Sequence, residues 1–245
     1  MPTARWEFVT EVLDGKIYVI GGSKMGTWEL ISSTEVYDPF TTTWTALASM
    51  PIAQADVYGF QTEVVDGKIY VFGVIPDETE TRKSITEVYN PSTNTWTILT
   101  PMPTPRDGFQ TEVIDGKIYA IGGYSGAFIG NPSRVDSLSS AEVYDPSTDT
   151  WTTLASMSAT RCYHQTEVID GKIYAICGFG PFGSDNRLLS TEVYDPSTNK
   201  WTTVVSMSKK RSHLHTEVIG KVIYAIGGAN STYLESYAVP TSATK

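Results

Sequence analysis

Cysteine, histidine and charged residues are all scarce in this chain. Among 245 residues there are two cysteines and three histidines, and the charged types make up only 18%. Two cysteines are too few for a disulfide framework. No apolar run approaches the roughly 18 residues that a membrane-spanning helix needs. Met1 to Phe8 lack the basic-then-apolar layout of a secretory signal, so a cytoplasmic location is the default expectation. No segment carries a helical stripe, and helix content is expected to be near zero. Also missing are a G-x-S-x-G elbow, a Cys-His nucleophile signature and a phosphate-cradling glycine loop, so no catalytic residue and no cofactor is assigned. The charge that is present is lopsided, with 27 acidic against 18 basic residues and a net charge of −9. An acidic surface repels phosphate backbones, which argues against a nucleic-acid partner, and nothing points to a membrane.

What the chain does have is a repeat. TEVLDGKIYVIGG starts at Thr10, and close copies start at Thr62, Thr111, Thr166 and Thr216, separated by 52, 49, 55 and 50 residues. A second phrase, EVYDP or a variant, follows at Glu35, Glu87, Glu142 and Glu192, with a degraded form, ESYAVP, at Glu235. Seven residues after each of the first four tyrosines stands a tryptophan (Trp44, Trp96, Trp151, Trp201), and six further on a methionine (Met50, Met102, Met157, Met207). A period near 50 residues signals a propeller or solenoid.

Each unit reads as four β-strands. Strand A ends in Thr-Glu-Val and an aliphatic residue, and Asp-Gly supplies a two-residue hairpin turn. Strand B is Lys-Ile-Tyr-x-Ile, stopped by paired glycines. Strand C is Glu-Val-Tyr, ended by Asp-Pro, and strand D carries the tryptophan. Such sheets cannot bury both faces alone, and radial stacking lets each cover the next. The recurring tyrosines and tryptophans are expected to fill the space between blades.

These residues resemble a kelch-repeat β-propeller. The match lies in Gly21-Gly22, Gly122-Gly123 and Gly227-Gly228, in the EVY tyrosines, the tryptophans and the later methionines, and in an arginine before four of the five inner strands (Arg5, Arg106, Arg161, Arg211). The resemblance implies a ring of four-stranded blades that often serves as a protein-interaction module, a few family members being enzymes. The expected fold is all-β, one five-bladed propeller over residues 1–245, with blades at about 6–50, 58–102, 107–157, 162–207 and 212–240. The last blade lacks its outer strand, which makes nineteen strands in all. Met1-Pro2-Thr3-Ala4-Arg5 aligns with Met102-Pro103-Thr104-Pro105-Arg106, the segment after a D strand. Blade 5 is expected to pack on blade 1, with an exposed edge that invites self-association. Two glycine pairs depart from the pattern, as Gly73-Val74 and Cys177-Gly178.

The A–B and C–D turns fall at one rim and are monotonous. The B–C and D–A connections fall at the other and hold nearly all the variation, which makes that rim the expected binding face. Candidate partner-binding residues there are Trp28, Tyr124, Phe128, Phe179 and Phe182, with Arg106, Arg161, Arg211, Tyr163, His164 and His213 at the channel mouth. The arginines read first as structural pairs to backbone or Glu, although a ring of them could meet an anionic group. The histidines His164, His213 and His215 are placed on inner strands, His213 and His215 sharing a face; a metal there is not expected, for want of a ligand motif. Glu11, Glu63, Glu112, Glu167 and Glu217 form a ring by symmetry, read as structural. Cys162 and Cys177 read as free thiols. The expected function is a non-catalytic scaffold for a protein or glycan partner. The alternative is a sugar-modifying or metal-dependent enzyme at the mouth, near His164, His213 and Arg161.

Overall fold

Each Thr-Glu-Val phrase opens an antiparallel hairpin because Asp-Gly accepts positive φ at both turn centres: Asp14 and Gly15 lie at 51° and 71°, Asp115 and Gly116 at 50° and 72°. The chain, seen in a computed structural model, is described at residues 1–27, 29–54, 60–76, 82–125, 136–181, 186–228 and 234–239. Every regular element among them is a β-strand. Blade 1 holds β1 (Val9–Leu13), β2 (Lys16–Ile20), β3 (Thr34–Asp38) and β4 (Thr43–Ala46), paired in that order. Blade 2 repeats the order with β5 (Gln61–Val65), β6 (Lys68–Pro76), β7 (Arg82–Asn90) and β8 (Thr95–Ile98). In blade 3, β9 (Gln110–Ile114) and β10 (Lys117–Ile121) are followed by a two-residue hairpin of β11 (Tyr124–Ser125) with β12 (Asp136–Ser137), then β13 (Ala141–Asp145) and β14 (Thr150–Thr153). Blade 4 holds β15 (Gln165–Ile169), β16 (Lys172–Ile176), β17 (Thr191–Asp195) and β18 (Lys200–Val204). Blade 5 has three strands, β19 (His215–Ile219), β20 (Val222–Ile226) and β21 (Leu234–Ala238).

The departures in the glycine pairs have visible consequences. Where Gly21-Gly22 and Gly122-Gly123 take positive φ, strand B stops. In blade 2 Val74 replaces the second glycine, and the β6–β7 ladder runs on through Val74↔Ser84 to Pro76↔Arg82. Cys177 instead adopts φ 56° itself, and strand B still ends.

Four apolar layers hold successive blades together, each joining the A and B strands of one blade to the B and C strands of the next. Their recurring element is a tyrosine pair, Tyr18–Tyr89, Tyr70–Tyr144 and Tyr119–Tyr194, each with ring centroids 6.1 Å apart. Each tryptophan of blades 2 to 4 also donates its indole N–H to the preceding blade, Trp96 to the Ala48 carbonyl at 2.9 Å and Trp151 to Thr100 at 3.0 Å. At the inner edge Thr62 of blade 2 donates to Glu11 of blade 1 at 2.6 Å.

The expected packing of blade 5 on blade 1 is not sealed in the same way. Ile219 and Ile226 are 69% and 47% exposed, whereas Ile169 and Ile176 at the same places in blade 4 are 5% and 0%. On the facing side Phe8 is 36% exposed, against 1% for Phe60 and 0% for Phe109. The inner strands touch in succession from β1 through β5, β9 and β15 to β19, whereas β19 does not meet β1 in the same way, and among the described residues no apolar layer joins blade 5 to blade 1.

Candidate binding face

The recurring arginines build the base of the variable rim. Arg161 donates to the carbonyls of Cys177 and Ser190, at 2.9 and 3.1 Å, and to Glu192 at 2.7 Å. Arg106 does the same with Gly122 and Ser140, at 2.7 and 2.9 Å, and pairs with Glu142 at 3.3 Å. Arg5 pairs with Glu35 at 3.4 Å, and Arg211 with Glu235 at 3.0 Å. Arg5, Arg106 and Arg161 thus tie the D–A connection to both ends of their own blade's B–C loop and to strand C, and Arg211 ties it to Gly227 and to Glu235 of strand C. The second glycine of the pair then bonds onward: Gly123 N–H donates to the Arg161 carbonyl and Gly178 N–H to the Arg211 carbonyl, both at 2.8 Å.

Arg106, Arg161 and Arg211 are therefore not a cationic ring at the mouth. They are 0%, 0% and 1% exposed, and the planar fork is turned inward on carbonyls and a carboxylate. In blade 2 the place is taken by Gln54, which donates to Glu87 at 2.8 Å. With no cation beside it, buried Glu87 is pushed up to about 7, while Glu192, with donors from Ser158 and Arg161, lies below its ordinary value despite its burial.

Two residues beyond each arginine the chain turns through the left-handed region, at Glu7 (φ 52°), Gly108 (58°), Tyr163 (48°) and His213 (51°). These positions form a collar at the inner rim. Tyr163 N–H donates to the Gly108 carbonyl at 2.9 Å, and His213 N–H to the Tyr163 carbonyl at 3.1 Å. The Tyr163 and His213 rings stack at 4.4 Å with 19° between planes. Tyr124 lies against the other side of Tyr163 at 5.6 Å, and Phe179 meets His213 edge-on at 5.7 Å. A hydroxyl chain fixes the rings: Tyr163 donates to Tyr124 at 3.0 Å, and Tyr124 to Asp107 at 2.7 Å. Burial raises the Tyr163 hydroxyl and lowers His213 below its usual value.

The collar borders a cavity of about 320 Å³ lined by Asp107, Gln61, Gln110, Gln165, His213 and His215 among others. The three glutamines are the residues immediately before Thr62, Thr111 and Thr166. They place a band of neutral amides at the mouth, with donors and acceptors on offer and no net charge. Deeper, burial drives the inner glutamates upward, Glu63 to about 7 and Glu112 to about 8. The opposite rim is plain by comparison, with exposed pairs such as Lys117–Asp145 at 2.9 Å and Lys172–Asp195 at 2.7 Å recurring under blades 3 and 4.

Of the candidates read from the sequence, Tyr124, Tyr163, Phe179 and His213 come together in this aromatic group. Trp28, Phe128 and Phe182 lie outside the described residues. His164 does not join His213. It is 0% exposed, at the core place held by Phe60, Phe109 and Leu214 in other blades, with neither ring nitrogen bonded. The placing of His213 and His215 on one strand face is also corrected, because the left-handed φ at His213 delays β19 until His215. Among the described residues no three His, Cys, Asp or Glu side chains gather as a metal would require. Cys162 and Cys177 are free and buried, their thiols pushed up to about 11 by burial.

Sequence reasoning missed Gln54, the glutamine band and the collar. Gln54 was signalled by its place four residues after Met50, the offset of Arg106 from Met102. It stands eight residues before Thr62, where Arg106 stands five before Thr111.

Residues 1–238 match the family model described as Attractin/LZTR1 beta-propeller. An F-box/kelch-repeat protein of Arabidopsis thaliana is 35% identical over 150 residues, covering 60% of this chain and 37% of that protein. Kelch-like protein 26 of Danio rerio is 28% identical over 180 residues, covering 73% of this chain and 28% of that one. The chain therefore spans well under half the length of these curated relatives. The solved structure of YjhT superposes with a TM-score of 0.71 at 18% identity, over 93% of this chain and 73% of that one, a likeness of fold.

Proposed function

Since this chain belongs to the Attractin/LZTR1 β-propeller family, a kelch-repeat propeller, we propose that it is a non-catalytic binding module whose protein partner docks on the B–C and D–A rim. The observation that carries this reading is the half-exposed aromatic group of Tyr124, Tyr163, Phe179 and His213, held rigid at the edge of a polar cavity. Aromatic side chains with few free rotations are the usual anchors of an interface, and they lose little entropy on binding when already stacked. The glutamine band around them suits a partner that presents backbone amides or uncharged polar groups. The enzyme alternative has less support, because Arg161 is spent inside blade 4 and His164 is sealed in the core.

The experiment is a pull-down with the intact chain beside the Tyr124→Ser, Phe179→Ser, His213→Ser triple variant, with thermal melting of both as a folding control. The variant is expected to lose its partners while melting cooperatively. Retention of the same partners by a folded variant would place the binding face elsewhere.

A further inference from the structure

On the outer side of the variable rim, blade 4 departs from the repeat in four side chains that stand together. Shared backbone bonds define the equivalent positions. The N–H groups of Ile31, Leu138 and Leu188 donate to the carbonyls of Gly22, Gly123 and Gly178 at 2.7 to 2.8 Å. Those of Met50, Met157 and Met207 donate to Ser32, Ser139 and Leu189 at 2.8 to 3.0 Å. Leu189 therefore stands where blades 1 and 3 have serine, and Arg187 where they have Leu30 and Ser137. The two residues before Arg211 are Lys209 and Lys210. Before Arg5, Gln54, Arg106 and Arg161 the same places hold Thr3-Ala4, Ile52-Ala53, Thr104-Pro105 and Ala159-Thr160, all without charge.

These residues border a groove whose two walls are fixed by backbone bonds. Arg211 N–H donates to the Leu188 carbonyl at 3.1 Å, and Met207 N–H to that of Leu189 at 3.0 Å. The space between is about 500 Å³, lined by Pro181, Arg187, Leu188, Leu189 and Lys210 among others, and none of the lining residues is acidic. Leu189 is 38% exposed, and Lys209 and Lys210 are exposed. Glu235 of β21 is already bonded, to Ser208 N–H at 2.6 Å and to Arg211 at 3.0 Å. The openness belongs to the rim and not to the strand count of blade 5. On blade 3, which faces a sheet of four strands, Ser156 and Ser158 are exposed and Ser139, Ala159 and Thr160 half-buried.

We propose that this groove binds an acidic stretch of a partner protein, in which carboxylates flank an aliphatic side chain that packs on Leu188 and Leu189. The aliphatic group leaves water against the two leucines, and the carboxylates meet Arg187, Lys209 and Lys210. The whole chain carries a net charge of −9, so an acidic segment is repelled elsewhere and steered toward this cationic place. A phosphate backbone fits worse, because it meets the same overall repulsion and leaves the leucines uncovered. The inference goes beyond the aromatic collar and does not rest on it.

The test uses the whole chain and a fluorescent synthetic peptide, GDELLDEG, read by anisotropy. Saturable binding below about 1 mM is expected at low salt, weakened about tenfold when salt is raised to about 0.3 M. The substitutions are those that blade 3 carries at the same places. Arg187→Ser, Lys209→Ala and Lys210→Thr together should weaken binding about tenfold or more and abolish its salt dependence. Leu189→Ser should weaken it about threefold to fivefold with the salt dependence kept, and should add nothing when the peptide is GDESSDEG. Melting curves confirm that each variant is folded. Absence of saturable binding, equal binding by the charge variant, or equal binding of GDESSDEG would overturn the proposal. So would tighter binding of a DNA duplex or of phosphatidylserine vesicles than of the peptide. Loss of the peptide in the Tyr124→Ser, Phe179→Ser, His213→Ser variant would place it at the collar and overturn the proposal as well.

Discussion

The Arg161 guanidinium and the Glu192 carboxylate meet at 2.7 Å inside blade 4, with 0% and 1% of the two side chains exposed. Removing one member of a sealed ion pair strands the other charge without solvent, which costs about 3–5 kcal/mol. Arg161→Met is therefore expected to lower unfolding free energy in urea by about that amount, and to loosen the backbone at Cys177 and Ser190, whose carbonyls the guanidinium holds. Arg161→Met with Glu192→Leu leaves no buried charge and should recover most of the loss. A single variant as stable as the parent would contradict the clamp.

The inner glutamates set the response to pH. Glu63 and Glu112 are raised to about 7 and about 8, chiefly by burial, and Glu11 and Glu167 are raised for the same reason. A folded pKa above the unfolded value means that the folded state holds its protons more tightly. The stabilisation is complete below the unfolded value near 4.5 and is lost as pH climbs through 7 to 8. Asp145 and Asp195, held down to about 2 chiefly by Ser147 and by Lys172 respectively, act with the opposite sign, and only in strong acid. Above about pH 6.5, where neither folded nor unfolded His164 holds a proton, melting temperature should therefore fall up to pH 8.5, by an amount equivalent to about 1–3 kcal/mol, with buried Glu87 adding to the same trend. Glu63→Gln with Glu112→Gln keeps acceptors for Thr111 and Thr166 and should flatten the profile. An unchanged slope in that variant would rule the ring out as its source.

Most of the architecture was legible because one phrase repeats. Asp14-Gly15 and its copies mark the A–B turns, the EVY tyrosines and tryptophans mark the layers, and the fifth copy announces its missing outer strand. The site was legible only in part. Tyr163 and His213 could be placed near the mouth, but their stacking depends on a left-handed turn that a non-glycine residue does not advertise. His164 looked like a partner for His213 because the two are close in register. Which face a side chain takes beside such a turn is decided by packing, and packing put His164 in a place that other blades give to phenylalanine. The unsealed junction was hidden because counting strands says nothing about whether the apolar side of the last blade meets that of the first.

The glycines of this chain should separate into two classes. A Cβ on Gly123, at φ 89°, would stand 2.8 Å from both the Asp107 carbonyl and Phe109 Cβ, so backbone must move. Gly123→Ala is expected to cost about 2–4 kcal/mol, combining left-handed strain with the clash. At Gly116, at φ 72°, nothing lies within 4 Å. Gly116→Ala should cost about 1 kcal/mol, from conformation alone. Comparable melting temperatures for the two variants would refute the distinction.

The last prediction concerns His164. Its two ring nitrogens are buried without partners, and burial with Arg161 nearby holds its pKa well below 6.5. A phenyl ring fits the equivalent place, since Phe60 packs in blade 2 with Cε1 3.0 Å from where a Gly21 Cβ would be, and His164 Cε1 stands 2.8 Å from the matching point on Gly122. His164→Phe removes two unmet nitrogens and should raise stability by about 1–3 kcal/mol at pH 7.5. The gain should widen in acid. The unfolded histidine takes a proton below about 6.5 and the folded one does not, so the parent loses stability as pH falls, by up to about 1.4 kcal/mol per unit. Melting of both proteins at pH 7.5 and pH 5.5 reads the effect directly. A variant less stable than the parent would refute the cost assigned to the two nitrogens, and a difference independent of pH would mean that the folded imidazole takes up its proton as readily as the unfolded one.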